Sequence, residues 1–147
     1  MMTRFLFLFA ATYSSFAFAD LSVVTGDYKV ANQDCLGTGN AKGSPVSIVA
    51  NGSKLEVKIE GEKPATIHMI EGKQISTLAN GDSFQRSGTS FGNGFVYGEQ
   101  ERSGRLIVSA VDYQMSWVDG ELQFSKTERL NSRHKSKVWC DLKPARQ

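Results

Sequence analysis

In VSIVANGSKLEVKIE, residues 46 to 60, Val46, Ile48 and Ala50 share one side of an extended chain, and Leu55, Val57 and Ile59 share one side after the break. Lys54, Glu56, Lys58 and Glu60 take the other side. A repeat of two is the repeat of a β-strand, and Asn51-Gly52 in the middle supplies residues that accept the positive φ of a tight turn. The stretch therefore predicts an antiparallel hairpin with one dry face and one wet face. YQMSWVDGELQFSK, residues 113 to 126, repeats the design: Tyr113, Met115 and Trp117 lead into Asp119-Gly120, and Leu122 and Phe124 leave it on one face. Asp-Gly between alternating runs is a strong hairpin signal.

Further turn pairs punctuate the chain at Glu71-Gly72, Asn80-Gly81, Asn93-Gly94 and Ser103-Gly104. They predict strands over 26–33, 64–71, 74–79, 94–100, 105–111 and 136–142 in addition to the two hairpins. RSGTSFGNGFVYGEQ, residues 86 to 100, reads as a loop, a turn at Asn93-Gly94 and then a strand. No stripe of helical period has useful length beyond the first residues, and no repeat or low-complexity linker interrupts the chain. Many short strands with glycine-rich turns predict an all-β sandwich or barrel.

The opening MMTRFLFLFAATYSSFAFAD places Arg4 before an apolar run and ends it on Ala17-Phe18-Ala19. This is the anatomy of a secretory signal peptide over residues 1–19, and Thr12 to Ser15 break the run well short of the roughly 20 apolar residues of a membrane span. An exported chain, periplasmic or extracellular, is expected, with a single domain over 20–147. Of 17 basic side chains Arg4 leaves with the signal, so 16 stand against 15 acidic ones, and this near balance selects no partner. The two cysteines, Cys35 and Cys140, form an even count, which in an exported chain reads as one structural disulfide tying the first strand to the last. A bridge between the ends favours closure, which removes exposed edges. The expected fold is an all-β, antiparallel up-and-down barrel of about eight strands.

Candidate chemistry is sparse. His68 and His134 are too few for a three-imidazole metal site and lack the spacing of one, so neither a metal nor a cofactor is expected. Glu99 and Glu101 alternate onto one side of a strand, whereas the carboxylates of a glycosidase act across a cleft. No phosphate-binding loop or dinucleotide fingerprint occurs. The reading is a non-enzymatic binding protein. Asn51-Gly52-Ser53 matches a glycosylation acceptor that the hairpin turn already explains. The basic C-terminal run, Lys126 to Arg146, has only Trp139 as an interleaved aromatic, and no nucleic-acid partner is expected.

In a barrel of about eight strands, Phe95, Tyr97, Tyr113, Met115, Trp117 and Phe124 either line a pocket for a small hydrophobic molecule or fill the interior themselves. The layout resembles that of lipocalins: Gly26-Asp27-Tyr28 is similar to their Gly-x-Trp at the start of the first strand, with tyrosine for tryptophan, and hairpins and a C-terminal disulfide follow. That resemblance implies a carrier of small hydrophobic molecules. A second one lies in Ser87-Gly88-Thr89-Ser90-Phe91-Gly92-Asn93-Gly94, which is similar to the Ser-Gly-Ala-x-Tyr-x-Asp-Gly segment of bacterial C-type lysozyme inhibitors. It implies a protein-partner loop, with Ser87, Gly88, Phe91 and Asn93, entering a lysozyme cleft through Ser87. The chain departs from that pattern where a lysine should follow, because Gly98-Glu99-Gln100-Glu101 stands there, and also in the wide spacing of Tyr28 and Cys35.

Overall fold

A computed structural model describes residues 24–32, 34–35, 37–131 and 133–146. The expected signal peptide, 1–19, lies outside them. Alternation becomes pairing along most of the described chain. β1 (Gly26–Val30) buries Tyr28 and Val30 and leaves Asp27 and Lys29 exposed. A small antiparallel pair, β2 (Asp34–Cys35) with β3 (Asn40–Ala41), follows it. β4 (Pro45–Asn51) and β5 (Lys54–Ile59) make the first expected hairpin, with Val46 opposite Ile59, Ile48 opposite Val57 and Ala50 opposite Leu55. β6 (Ala65–His68) adds to β5. β7 (Gly72–Thr77), β8 (Ser83–Phe91), β9 (Gly94–Ser103), β10 (Leu106–Val118), β11 (Glu121–Leu130) and β12 (Arg133–Pro144) then form a six-strand antiparallel meander.

The order across the sheet is β6-β5-β4-β1-β12-β11-β10-β9-β8-β7, with β1 hydrogen-bonded between β4 and β12. All ten strands pair antiparallel, and the remaining two make the separate β2–β3 ribbon. The all-β expectation holds, while the eight-stranded closed barrel is not what forms: the sheet has ten strands, and its edges β6 and β7 share no ladder. Two local expectations also change. Residues 86–91 belong to β8 rather than to a loop, and the stretches 105–111 and 113–118 join into the single 13-residue β10.

Although its edges stay unpaired, the sheet curls strongly. Six strands separate β6 from β9 in the order, yet the His68 ring stacks 5.7 Å from that of Tyr97. Tyr28 of β1 likewise lies 6.3 Å from Trp117 of β10. Inside the curl, Val46, Ile48, Leu55, Val57 and Ile67 of the short strands meet Phe95, Met115, Phe124, Cys140 and Leu142 of the long ones, all 2% exposed or less. Burial of this apolar surface is the dominant stabilising term for such a sheet.

Cys35 and Cys140 are joined as a disulfide, fully buried, with Cα atoms 4.6 Å apart across 105 residues of sequence. The bridge staples β2, the strand after β1, to the middle of β12. The expected link therefore exists, but its N-terminal end sits one element later than the first strand. Among the described residues no helix is long and apolar enough to cross a membrane.

Strand length positions the site. β1, β4, β5 and β6 have four to seven residues, whereas β8 to β12 have nine to thirteen. The long wall continues beyond the short one that covers the core, and among the described residues its inner face there is left half-buried or exposed. Sequence follows this geometry: along β9 the inner positions run Phe95, Tyr97, Glu99, Glu101, and along β11 Leu122, Phe124, Lys126, Glu128, Leu130, apolar in the core and then largely polar.

Candidate functional site

The overhanging inner face is built in rows across the strands. Arg86, Glu99, Val111, Glu128 and Ser136 stand abreast on β8 to β12, and Phe84, Glu101, Ser109 and Leu130 form the next row outward. A depression of about 290 Å³ lies over both rows, with Phe84, Val111 and Leu130 as its apolar surface and Glu99, Glu101 and Glu128 as its carboxylates. That volume is at the small end for a ligand site.

The polar groups of the inner row are fixed by neighbours. The Tyr97 hydroxyl donates to Glu99 Oε1 at 2.6 Å, and the same oxygen lies 3.5 Å from Arg86 Nε and 4.0 Å from His68 Nε2. Lys126 Nζ stands 2.6 Å from one oxygen of Glu128, and the Ser136 hydroxyl donates to the other at 3.1 Å. The hydrogen bond from Lys126 holds the Glu128 carboxyl below its ordinary range. Burial, then the bond to Glu99, pushes the Tyr97 phenol far up, and burial with the nearby charges of Glu99 and Glu128 lifts Tyr113 to about 12. Burial and the Arg86 cation lower His68, which favours its neutral form. Fixed donors and acceptors thus border an apolar floor. Among the described residues, no three of His, Cys, Asp and Glu are grouped so as to hold a metal ion.

The residues expected to line a ligand pocket do come together, but as packing. Phe95, Tyr97, Met115 and Phe124 are 2% exposed or less and Tyr113 is 8%. Tyr97 stacks on Tyr113 at 6.1 Å, and Tyr113 on Phe124 at 6.3 Å. Trp117 is half-buried against them. These side chains fill the interior at their own level, so the open surface begins one row beyond, at residues that hydrophobicity does not single out. The alternation of Glu99 and Glu101 onto one side of a strand was the legible signal there.

The expected partner loop is a β-hairpin. Ser87 lies opposite Gly98 and Gly88 opposite Tyr97, so the two point to opposite faces of the sheet. Ser87 is half-buried in mid-strand, Gly88 is buried, and Phe91 and Asn93 lie at the turn, where the Asn93 amide donates to the Trp117 carbonyl. The basic C-terminal run is broken up by ion pairs of Lys126 with Glu128, Arg129 with Asp112 and Lys143 with Glu121.

Fold and site together define a disulfide-stapled, all-β protein whose curled sheet presents an open, amphipathic inner wall. No protein-family model matches the chain, and no curated protein matches it in sequence.

Proposed function

We propose that this is an exported binding protein without catalytic activity, which takes a small, largely apolar molecule against the overhanging inner wall. The observation that carries the reading is the depression over Phe84, Val111 and Leu130, apolar at its floor and bordered by carboxylates already held by Tyr97, Arg86 and Lys126. A pair of satisfied charges beside an apolar surface orients an amphiphile without needing to titrate. The role is that of a lipocalin-like carrier, with the ligand resting on an open wall instead of inside a closed calyx. The disulfide suits an oxidising compartment. Lysozyme inhibition stands second, because it requires a protruding serine and Ser87 is half-buried within β8.

Two measurements test this. Native mass spectrometry of protein purified from an exporting host should show a small adduct that denaturation removes. Nile red should bind saturably, and Phe84→Ala combined with Leu130→Gln should weaken it by about tenfold, the loss expected when about 1.4 kcal/mol of apolar contact disappears. Absence of any adduct together with Nile red binding that ignores both substitutions would end the carrier reading.

A further inference from the structure

The opposite face of the same long strands carries different chemistry. Two adjoining depressions, of about 300 and 410 Å³, share Gln114 and Ser125 and together form a groove crossing β8 to β12. Five strands at the usual spacing span roughly 19 Å, room for several sugar rings in line. One end of the groove is Trp139, 39% exposed on β12 directly opposite Ser125. The groove between is lined by amides and hydroxyls, which donate and accept alike. Gly98 keeps it open, since a Cβ there would stand 2.8 Å from Asp112 Oδ1.

Two buried polar groups mark this region. Ser116, 7% exposed, is the buried polar side chain among the described residues, and it lines the groove. Across the next strand, Asp141 Oδ1, beyond Gln123 in the same row, is buried and has no hydrogen-bond partner among the described residues. A group left so is expected to meet a polar partner, because an unmet buried acceptor is costly.

We infer that this outer groove binds a flat, β-1,4-linked oligosaccharide, one sugar ring stacking its C–H face on Trp139 and its hydroxyls meeting Gln114, Gln123 and Ser116. An aromatic ring beside planar amides matches a sugar, which is apolar on its faces and polar around its rim. A β-1,4 chain is an extended ribbon, as a groove across a sheet requires, whereas an α-1,4 chain coils. A nucleic acid would need several cations in line, but Lys137 is the one cation among the described residues that line the groove. An extended peptide would add to a sheet edge, and this groove lies on a face whose strands are already paired.

Calorimetric titration of the purified protein with chitotetraose and cellotetraose, and with maltotetraose for comparison, tests the inference. At least one β-linked chain should bind saturably and more tightly than maltotetraose. Trp139→Ala and Gln123→Ala should each weaken it, the former by about tenfold, while Trp139→Phe retains binding. Phe84→Ala with Leu130→Gln, on the opposite face, should leave sugar binding unchanged, so this inference and the carrier reading fail separately. Should Trp139→Ala not fold, Gln123→Ala and Trp139→Phe decide. No binding of either β-linked chain at millimolar concentration, equal binding of maltotetraose, or affinities indifferent to Gln123 and Trp139 would overturn the proposal.

Discussion

His68 shows how much a single side chain acquires from the curl of the sheet. In sequence it is a polar residue between Ile67 and Met69; in the fold its ring lies against Tyr97, within 4.0 Å of Glu99, with its side chain 16% exposed. Burial and Arg86 lower its pKa from 6.5, so just below that value the folded protein binds fewer protons at His68 than the unfolded chain does. Its contribution is fully present above that window and is lost as pH falls through it. Urea midpoints measured from about pH 7.5 down to about pH 5.5 should fall, and His68→Gln should flatten the decline. An unchanged slope in the variant would show that His68 titrates as a solvated residue. Alternation alone places Glu99 beside Glu101 on one side of a strand, but its meeting with His68 depends on six intervening strands and is invisible locally.

Among the elements, legibility followed the inward side chains. The β10–β11 hairpin reads directly from sequence, because Met115 and Phe124 face each other and Asp119 and Gly120 adopt the positive φ, 51° and 79°, that their residue types favour. β8 is silent, since after Phe84 its inner positions are Arg86, Gly88 and Ser90, each matched to a particular neighbour: Glu99, the Ile70 carbonyl and Glu71. No hydrophobic period is left to read. Gly88 has no side chain because the connection from β6 to β7 crosses it closely; an added Cβ would overlap the Ile70 carbonyl and lie 2.9 Å from the Phe95 ring. Gly88→Ala should therefore destabilise the protein by about 1–3 kcal/mol through overpacking, seen as a lower urea midpoint. A midpoint equal to wild type would mean that the connection yields without cost.

At the scale of the whole molecule, strands and disulfide were legible and closure was not. Hairpins are local, but whether β6 meets β7 depends on the packing of residues 69–71, where the Ile70 carbonyl comes up against Gly88 and Glu71 accepts a hydrogen bond from the backbone of Ser90 at 2.9 Å. The buried bridge between β2 and β12 spans most of the described chain, so its contribution should be large. Replacing Cys35 and Cys140 together by serine should cost about 2–5 kcal/mol, read from urea denaturation against the oxidised protein. A smaller loss would indicate that the core alone keeps the N-terminal segment in place.

β12, the final strand, lies between β1 and β11 near the centre of the sheet, so the earliest and latest strands are neighbours. A chain emerging from its N-terminus can build the β4–β5–β6 hairpins and much of the meander as they appear. It cannot join the two halves until residues 133–144 arrive, and pairings that bridge such a separation form slowly. Until then β1 and β11 each present an unmatched edge, and the two halves wait on one late arrival.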